Sequence, residues 1–395
     1  MKNTFSRELD PPKTSFFLFG PRSVGKSHWL KEHFEKALFF DLLDHRLALE
    51  LSRNPTLLEA KIGDQPKGTW VCLDEIQKIP SLLDEVHRLM ENRQYRFALT
   101  GSSARKLKRG GADLLAGRAI TRHMEGLTYA EMGNVFDLSK VLQWGALPMI
   151  AAHTKDASYV ADTLSAYVHT YIREEIKEEG LVRKTEPFIR FLEIAALMNG
   201  QELNKENIAR DAHVPRSTVD VYFSILEDTL LGHFLPAYRA EAKVREKSHP
   251  KFYWFDPGVA RGAANLLYEP IDAMWEGRAL ETYLFHELRV FNHLKSKHRP
   301  IFYYQTGAGA EIDFVIETAR RTASSKAHLV CIEVKRAARW KREWEKPIRS
   351  LRDSGSVIVD KMFGVYGGSE SLTFDGFQVW PVKRFLDEMN SGSVF

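Results

Sequence analysis

Residues 16–27 read FFLFGPRSVGKS: a short apolar run, then Gly20, Pro21, Arg22, Ser23, Val24, Gly25, Lys26 and Ser27. The spacing G-x-x-x-x-G-K-S, after a candidate strand and before the helix-like HWLKEHF, is that of a phosphate-binding loop. Its glycines let backbone N–H groups wrap an anion at a helix N-terminus. Lys26 would reach the β- and γ-phosphates of ATP, and the Ser27 hydroxyl would bind Mg2+. Hydrolysis needs a second cluster, and WVCLDE (70–75) offers one: an apolar strand ending in two carboxylates. Asp74 would hold Mg2+ and Glu75 would activate the attacking water. A later strand ends LTGSS, which puts Thr100 and Ser102 at the edge where parallel sheets bind ligands. They are candidates for sensing phosphate or water, with an ordinary polar turn as the alternative. Arg118, in LLAGRA, is a candidate to contact its own or a neighbouring subunit's nucleotide, or else a surface arginine.

A second constellation lies near the carboxyl end. In EIDFVIE the apolar Ile312, Phe314 and Ile316 alternate with Glu311 and Asp313, so the two carboxylates share a strand face. In CIEVKRA, Ile332 and Val334 point one way and Glu333 and Lys335 the other. If the strands are neighbours, Asp313, Glu333 and Lys335 converge. Two carboxylates can bind Mg2+ or Mn2+ through oxygen, and a lysine beside them can stabilise charge as a phosphodiester breaks. Glu281, on the preceding helix, is a fourth candidate ligand. The bland alternative is alternating charge on a water-facing edge strand. His286, five residues beyond Glu281, reads as structural, and Trp340 and Trp344, four apart, as a packing face.

Those residues need elements to hold them. Candidate strands at 16–19, 38–41, 70–73, 96–99 and 119–125 alternate with helix-length segments, the signature of a covered parallel sheet. Residues 128–200 read as mostly helical. Between 203 and 238 the pattern becomes helix (LNKENIARDA), turn, longer helix (STVDVYFSILEDTLL) and strand (232–238), with a second strand at 251–255. That order is a winged-helix pattern. Asp220 stands three residues after Ser217, close to a capping box. Arg216, Ser217 and Thr218 open the second helix, where side chains would meet a DNA groove. Arg239, Lys243, Arg245 and Lys247 lie on the wing and are phosphate-contact candidates, whereas the basic loop 104–111 is a candidate to face nucleic acid or another subunit, with a solvated loop as the alternative. Protein contact is the alternative for this module. A helix at 276–293 and strands near 301–304, 311–316, 329–334, 357–365 and 377–382 complete the tail.

Composition sets limits. The 395 residues allow two to four domains. With 44% hydrophobic and 27% charged residues, the chain has an ordinary globular balance. A net charge of +4 is compatible with nucleic acid without demanding it. Two cysteines exclude a disulfide framework and suit a reducing compartment. The N-terminus lacks a signal-peptide apolar core, and no stretch is long enough to span a bilayer, so a cytoplasmic protein is expected.

Taken together, FGPRSVGKS, LDEIQKIP, LTGSSARKL, LLAGR, EGLTYAEM and WGALP resemble the AAA-type P-loop ATPases of bacteria and archaea whose carboxyl-terminal domain is uncharacterised. FDPGVAR, GRALETYLFHEL and EIDFVI…IEVK extend the likeness over nearly the whole chain. Near position 174 relatives often carry a basic–acidic pair where this chain reads IREEI, and that site is left unassigned. The resemblance implies an α/β fold: an AAA-like parallel sheet with a helical lid, a winged-helix module and a restriction-endonuclease-like tail, for which Asp313, Glu333 and Lys335 match D…(D/E)-x-K. The expected divisions are 1–135, 136–200, 201–262 and 263–395. The expected activity is Mg2+-dependent ATP hydrolysis coupled to DNA binding or remodelling, with metal-dependent nuclease activity open. The alternative is a nucleotide-dependent switch or scaffold with an inactive tail. A homo-oligomer, such as a hexameric ring, is the expected assembly, without a membrane.

Overall fold

The computed structural model describes residues 5–103, 115, 117–172, 185–240, 249–307 and 309–395. The basic loop 104–111, position 174 and the wing residues Lys243, Arg245 and Lys247 lie outside them. Near the amino end, β1 (Phe16–Phe19), β2 (Leu38–Asp41), β3 (Trp70–Asp74), β4 (Arg96–Gly101) and β5 (Ile120–His123) form one sheet in the order β2-β3-β4-β1-β5. Every neighbouring pair is parallel. The central strands are apolar on both faces because helices cover both. Phe16, Leu18, Cys72 and Ala98 pack with Trp29 and Leu30, while Phe17, Phe19, Leu73 and Leu99 pack with Leu82, Val86 and Leu89. Phe19 stands opposite Gly101, and Leu73 opposite Leu99. The carboxyl ends of β1, β4 and β3 therefore lie side by side.

The middle of the chain is helical: Leu138–Trp144, Ala157–Ala166, Thr185–Leu197, Lys205–Ala212 and Arg216–Asp228. A hairpin of β6 (Gly232–Leu235) and β7 (Lys251–Trp254) follows. The strand expected through Tyr238 stops at Leu235, because Pro236 has no N–H to continue the ladder. The chain instead runs beside the tail, where Tyr238 N–H donates to Tyr303 O at 2.6 Å. The capping box expected at Ser217 does not form. Helix Arg216–Asp228 starts after Pro215 with no side-chain cap, and Asp220 pairs with Lys205 and Arg216. FDPGVAR has a packing role: Asp256 caps helix Pro257–Ala263 at Val259 N–H (2.9 Å) and accepts from Ala146 N–H (2.6 Å). A Cβ on Gly258 would stand 2.0 Å from Trp144 O.

The tail is a mixed sheet backed by helices. Its strands are β8 (Ile301–Gln305), β9 (Glu311–Ala319), β10 (His328–Lys335), β11 (Ile358–Tyr366), β12 (Leu372–Phe374) and β13 (Phe377–Pro381), in the order β12-β13-β11-β10-β9-β8. Strands β9 and β10 are antiparallel; β10 and β11 are parallel, joined through helix Lys346–Asp353. The strand expected to reach residue 382 ends at Pro381 and turns into helix Val382–Asn390. Trp340 and Trp344 meet edge-on at 5.1 Å, although Trp340 precedes any helix.

Helix Ala273–Leu294, about 33 Å long at 1.5 Å per residue, joins the tail to the amino-terminal part. Arg289 Nη2 donates to Glu125 Oε1 at 3.0 Å, His286 Nε2 lies 3.3 Å from Leu127 O, and Tyr129 N–H donates to Glu287 Oε1 at 2.5 Å. Burial works against the Glu125 anion, yet Arg289 holds its carboxyl below the ordinary range. Burial pushes the Glu287 carboxyl up to about 8. Its proton is thus bound more tightly in the folded protein than in the unfolded chain. That contribution is complete below the unfolded value of 4.5 and is lost as pH climbs to about 8. Glu287→Gln imitates the protonated form. It is expected to flatten part of the fall in melting temperature between pH 5 and 8, about 1.4 kcal/mol per pH unit at most for one group. Identical pH slopes for variant and wild type would contradict this assignment.

Candidate functional site

Strand β1 delivers Gly20 into a confined turn: a Cβ there would stand 2.0 Å from Met124 O. Ser23 (φ 64°) and Gly25 (φ 98°) then adopt left-handed conformations and bring the chain to the start of helix Lys26–His33. In this turn Pro21 and Val24 are buried, Arg22 half-buried and Ser23 exposed. The Lys26 side chain is buried, and its Nζ donates to the carbonyls of Gly20 (2.7 Å) and Pro21 (2.9 Å). The ammonium therefore sits inside the loop. Two residues without a motif support the turn. Arg7 donates to Val24 O (2.6 Å), Glu125 O (2.8 Å) and Glu131 Oε1 (2.8 Å), and Tyr167 Oη donates to Arg22 O at 3.1 Å.

The end of β3 supplies the acidic pair. Burial raises the Asp74 carboxyl above its ordinary range, opposed by hydrogen bonds from Ser27 and Thr100. Thr100 Oγ1 donates to Asp74 Oδ1 and accepts from the Glu75 N–H at 2.9 Å. Glu75 is itself left-handed (φ 61°) and buried. Gln77 Nε2 donates to Glu75 Oε2 and, at 2.9 Å, to Ser102 Oγ. Lys26, Ser27, Asp74, Glu75, Thr100 and Ser102 thus gather at one sheet edge. Ser27 and Asp74 are oxygen donors of the kind that suits Mg2+, which takes one or two carboxylate or hydroxyl ligands plus substrate phosphates.

Arg118 does not join them. It precedes β5, at the edge opposite the loop, and pairs with Glu91 at 2.6 Å. Contact with its own nucleotide is corrected accordingly. A cleft of 870 Å³ at that same far edge, lined by Lys13, Phe34, Trp70 and Arg96, contains none of the gathered residues.

In the tail, Val334 N–H donates to Asp313 Oδ2 at 2.7 Å. Lys335 Nζ lies 2.5 Å from Glu333 Oε1 and 3.7 Å from Asp313 Oδ2. Glu281 accepts from Tyr253 Oη at 3.0 Å, and its carboxyl is pushed up to about 7 by burial and by Asp313. Burial and Asp313 also hold Glu333 well above its usual range. Lys251, on β7, pairs with Glu311; burial works against its charge, yet the neighbouring acidic groups hold it well above its usual range. Among the described residues, no group of three or more His, Cys, Asp or Glu is placed to hold a metal ion. Lys335 stands beside Asp313 and Glu333, and Tyr253 holds Glu281.

In the middle module, Arg216 and Ser217 are exposed and Thr218 half-buried. Arg216 pairs with Glu206 at 2.7 Å, and Arg239 is exposed. Arg7, Lys251 and Tyr253 carry no motif, and Gln77 lies in LDEIQKIP without a role assigned from sequence; their contacts in space reveal them. No helix among the described residues is long and apolar enough to cross a membrane.

Residues 135–269 and 276–385 match two families described as domains of unknown function, DUF8612 and DUF4143. An uncharacterized protein of Haemophilus influenzae is 22% identical over 242 residues, 57% of this chain. The match spans 60% of that relative's length. The solved structure of Can2 from Sulfobacillus thermosulfidooxidans in complex with cyclic tetra-adenylate aligns over 95% of this chain and 97% of that one. Its identity is 10% and its TM-score 0.20, which carries no argument. Residues 12–133, which hold the parallel sheet and the phosphate loop, match the AAA domain family, and this supports nucleotide-binding ATPase activity of AAA type.

Proposed function

We propose that the chain is a Mg2+-dependent ATP hydrolase that couples turnover to DNA binding or remodelling. The observation that carries the ATPase reading is the contact of Ser27 and Thr100 with Asp74, directly beside the loop and Glu75. Lys26 and the loop N–H groups would hold the phosphates; Ser27 and Asp74 would hold Mg2+, which would neutralise phosphate charge when bound. Glu75 takes the proton of the attacking water as its oxygen bonds to the γ-phosphorus and the bond to the β–γ bridging oxygen breaks, leaving ADP and phosphate. The DNA reading draws on the exposed opening of helix Arg216–Asp228, followed by a hairpin. The Arg216 ion pairs face solvent, so a phosphate can replace them. A homo-oligomer, with a hexameric ring as the expected form, is part of the same proposal; there Arg118 has only a neighbour's nucleotide to meet.

One observation favours a second reading of the tail: Lys335 pairs with both acidic residues, Glu333 and Asp313. A centre neutralised in this way suits an interaction domain that does not cleave. A Mn2+ nuclease assay on wild type and Lys335→Ala is expected to show no Lys335-dependent cleavage; cleavage lost in the variant would restore the nuclease assignment.

For the ATPase, Lys26→Ala is expected to abolish ATP binding. Glu75→Gln is expected to keep binding and lower turnover by about 100-fold or more, the scale of a general base. Full turnover in Glu75→Gln would overturn the role of Glu75. ATPase rates with single-stranded, duplex and branched DNA test the partner: stimulation that fades with salt is expected, and no binding even at low salt would reject DNA.

A further inference from the structure

We infer that Gln77 is a positioning residue for ATP hydrolysis, tying the Glu75 carboxylate to the Ser102 hydroxyl so that the base is held in place when Ser102 meets the γ-phosphate. The inference rests on the ATPase reading above. A primary amide has two N–H donors. Here one donates to Glu75 Oε2 and the other can serve Ser102 Oγ at 2.9 Å. Gln77 follows the end of β3 and Ser102 the end of β4, so the amide spans two strand ends. Gln77 is 4% exposed. Its Oε1 is buried with no hydrogen-bond partner among the described residues.

A purely structural glutamine would be expected to satisfy both ends of its amide. This one spends its donors on a base and a phosphate-edge hydroxyl while its acceptor goes unmatched. The space for it is also specific. A Cβ on Gly101 would approach Gln77 Oε1 at 2.9 Å, so the glycine between Thr100 and Ser102 leaves room for the amide. With Oε2 held, Glu75 Oε1 is the oxygen to receive a proton from water. The Glu75 backbone is fixed separately by the bond from its N–H to Thr100. Backbone and carboxylate are therefore anchored by two different strand-end groups. Side-chain placement by buried neighbours is what keeps a general base within reach of its water.

The test uses the full chain. Affinity is measured with Mg2+ and a slowly hydrolysed ATP analogue, and turnover with ATP. Gln77→Leu is expected to lower kcat at least tenfold while analogue affinity changes less than twofold. Gly101→Ala, which displaces the amide without touching Glu75 or Gln77 chemically, is expected to reproduce the kcat loss with the fold retained; it keeps the test open if Gln77→Leu fails to fold. Ser102→Ala added to Gln77→Leu is expected to cost less than the product of the two single effects, because both act on one linkage. Unchanged or raised kcat in both Gln77→Leu and Gly101→Ala, or fully multiplicative effects, would overturn the inference. Glu75→Gln runs alongside: if it loses turnover while the Gln77 and Gly101 variants do not, the linkage fails and the ATPase reading stands; if Glu75→Gln is fully active, that reading fails as well.

Discussion

A single hydroxyl on the middle strand holds the amino-terminal site in register. Thr100 donates to Asp74 and accepts from the Glu75 N–H, so one side chain fixes both acidic residues relative to β4. This is possible only because β4 lies between β1 and β3. If β3 paired directly with β1, no side chain would rise between loop and acids. A hydrogen bond to a charged group contributes about 1.5–3 kcal/mol, enough to offset part of the cost of keeping Asp74 under cover. Ser27 adds a second bond to the same carboxyl from the loop side. The phosphate turn and the acidic pair are therefore one hydrogen-bonded unit.

Much of that unit is legible in the sequence. Short apolar runs with polar ends read as strands of a covered sheet, and the expected 16–19 and 38–41 coincide with β1 and β2. The glycine spacing around Lys26 and the acids at 74 and 75 are local signals. The role of Gln77 is not legible in LDEIQKIP. Its meaning depends on Ser102, which lies 25 positions away. Arg7 is similar: it precedes every motif and acts on Glu131, 124 positions later. Pro381 is the signal that ends β13 and opens helix Val382–Asn390, and the strand expected to 382 overran it by one residue.

The tail shows the limit of alternation. Spacing alone suggests which charges share a face, but not which cations sit among them. Lys251 and Tyr253 come from a hairpin far upstream and enter the acidic cluster only through the fold. Their presence changes the electrostatic balance. Burial and mutual repulsion push the Glu281 and Glu333 carboxyls up, and the lysines oppose that rise without cancelling it. A motif read from D, E and K therefore describes half of a charge set.

Helix Ala273–Leu294 carries Glu281 toward the acidic cluster and Arg289 to Glu125. Breaking a buried ion pair by removing one partner costs roughly 3–5 kcal/mol. Grafting this tail onto an unrelated ATPase would leave Glu125 an enclosed anion with no counter-charge on one side, and Arg289 a cation without its acid on the other. The two halves are therefore heritable as a matched set, and recombination between distant homologues within residues 125–289 would be penalised at the level of folding rather than chemistry.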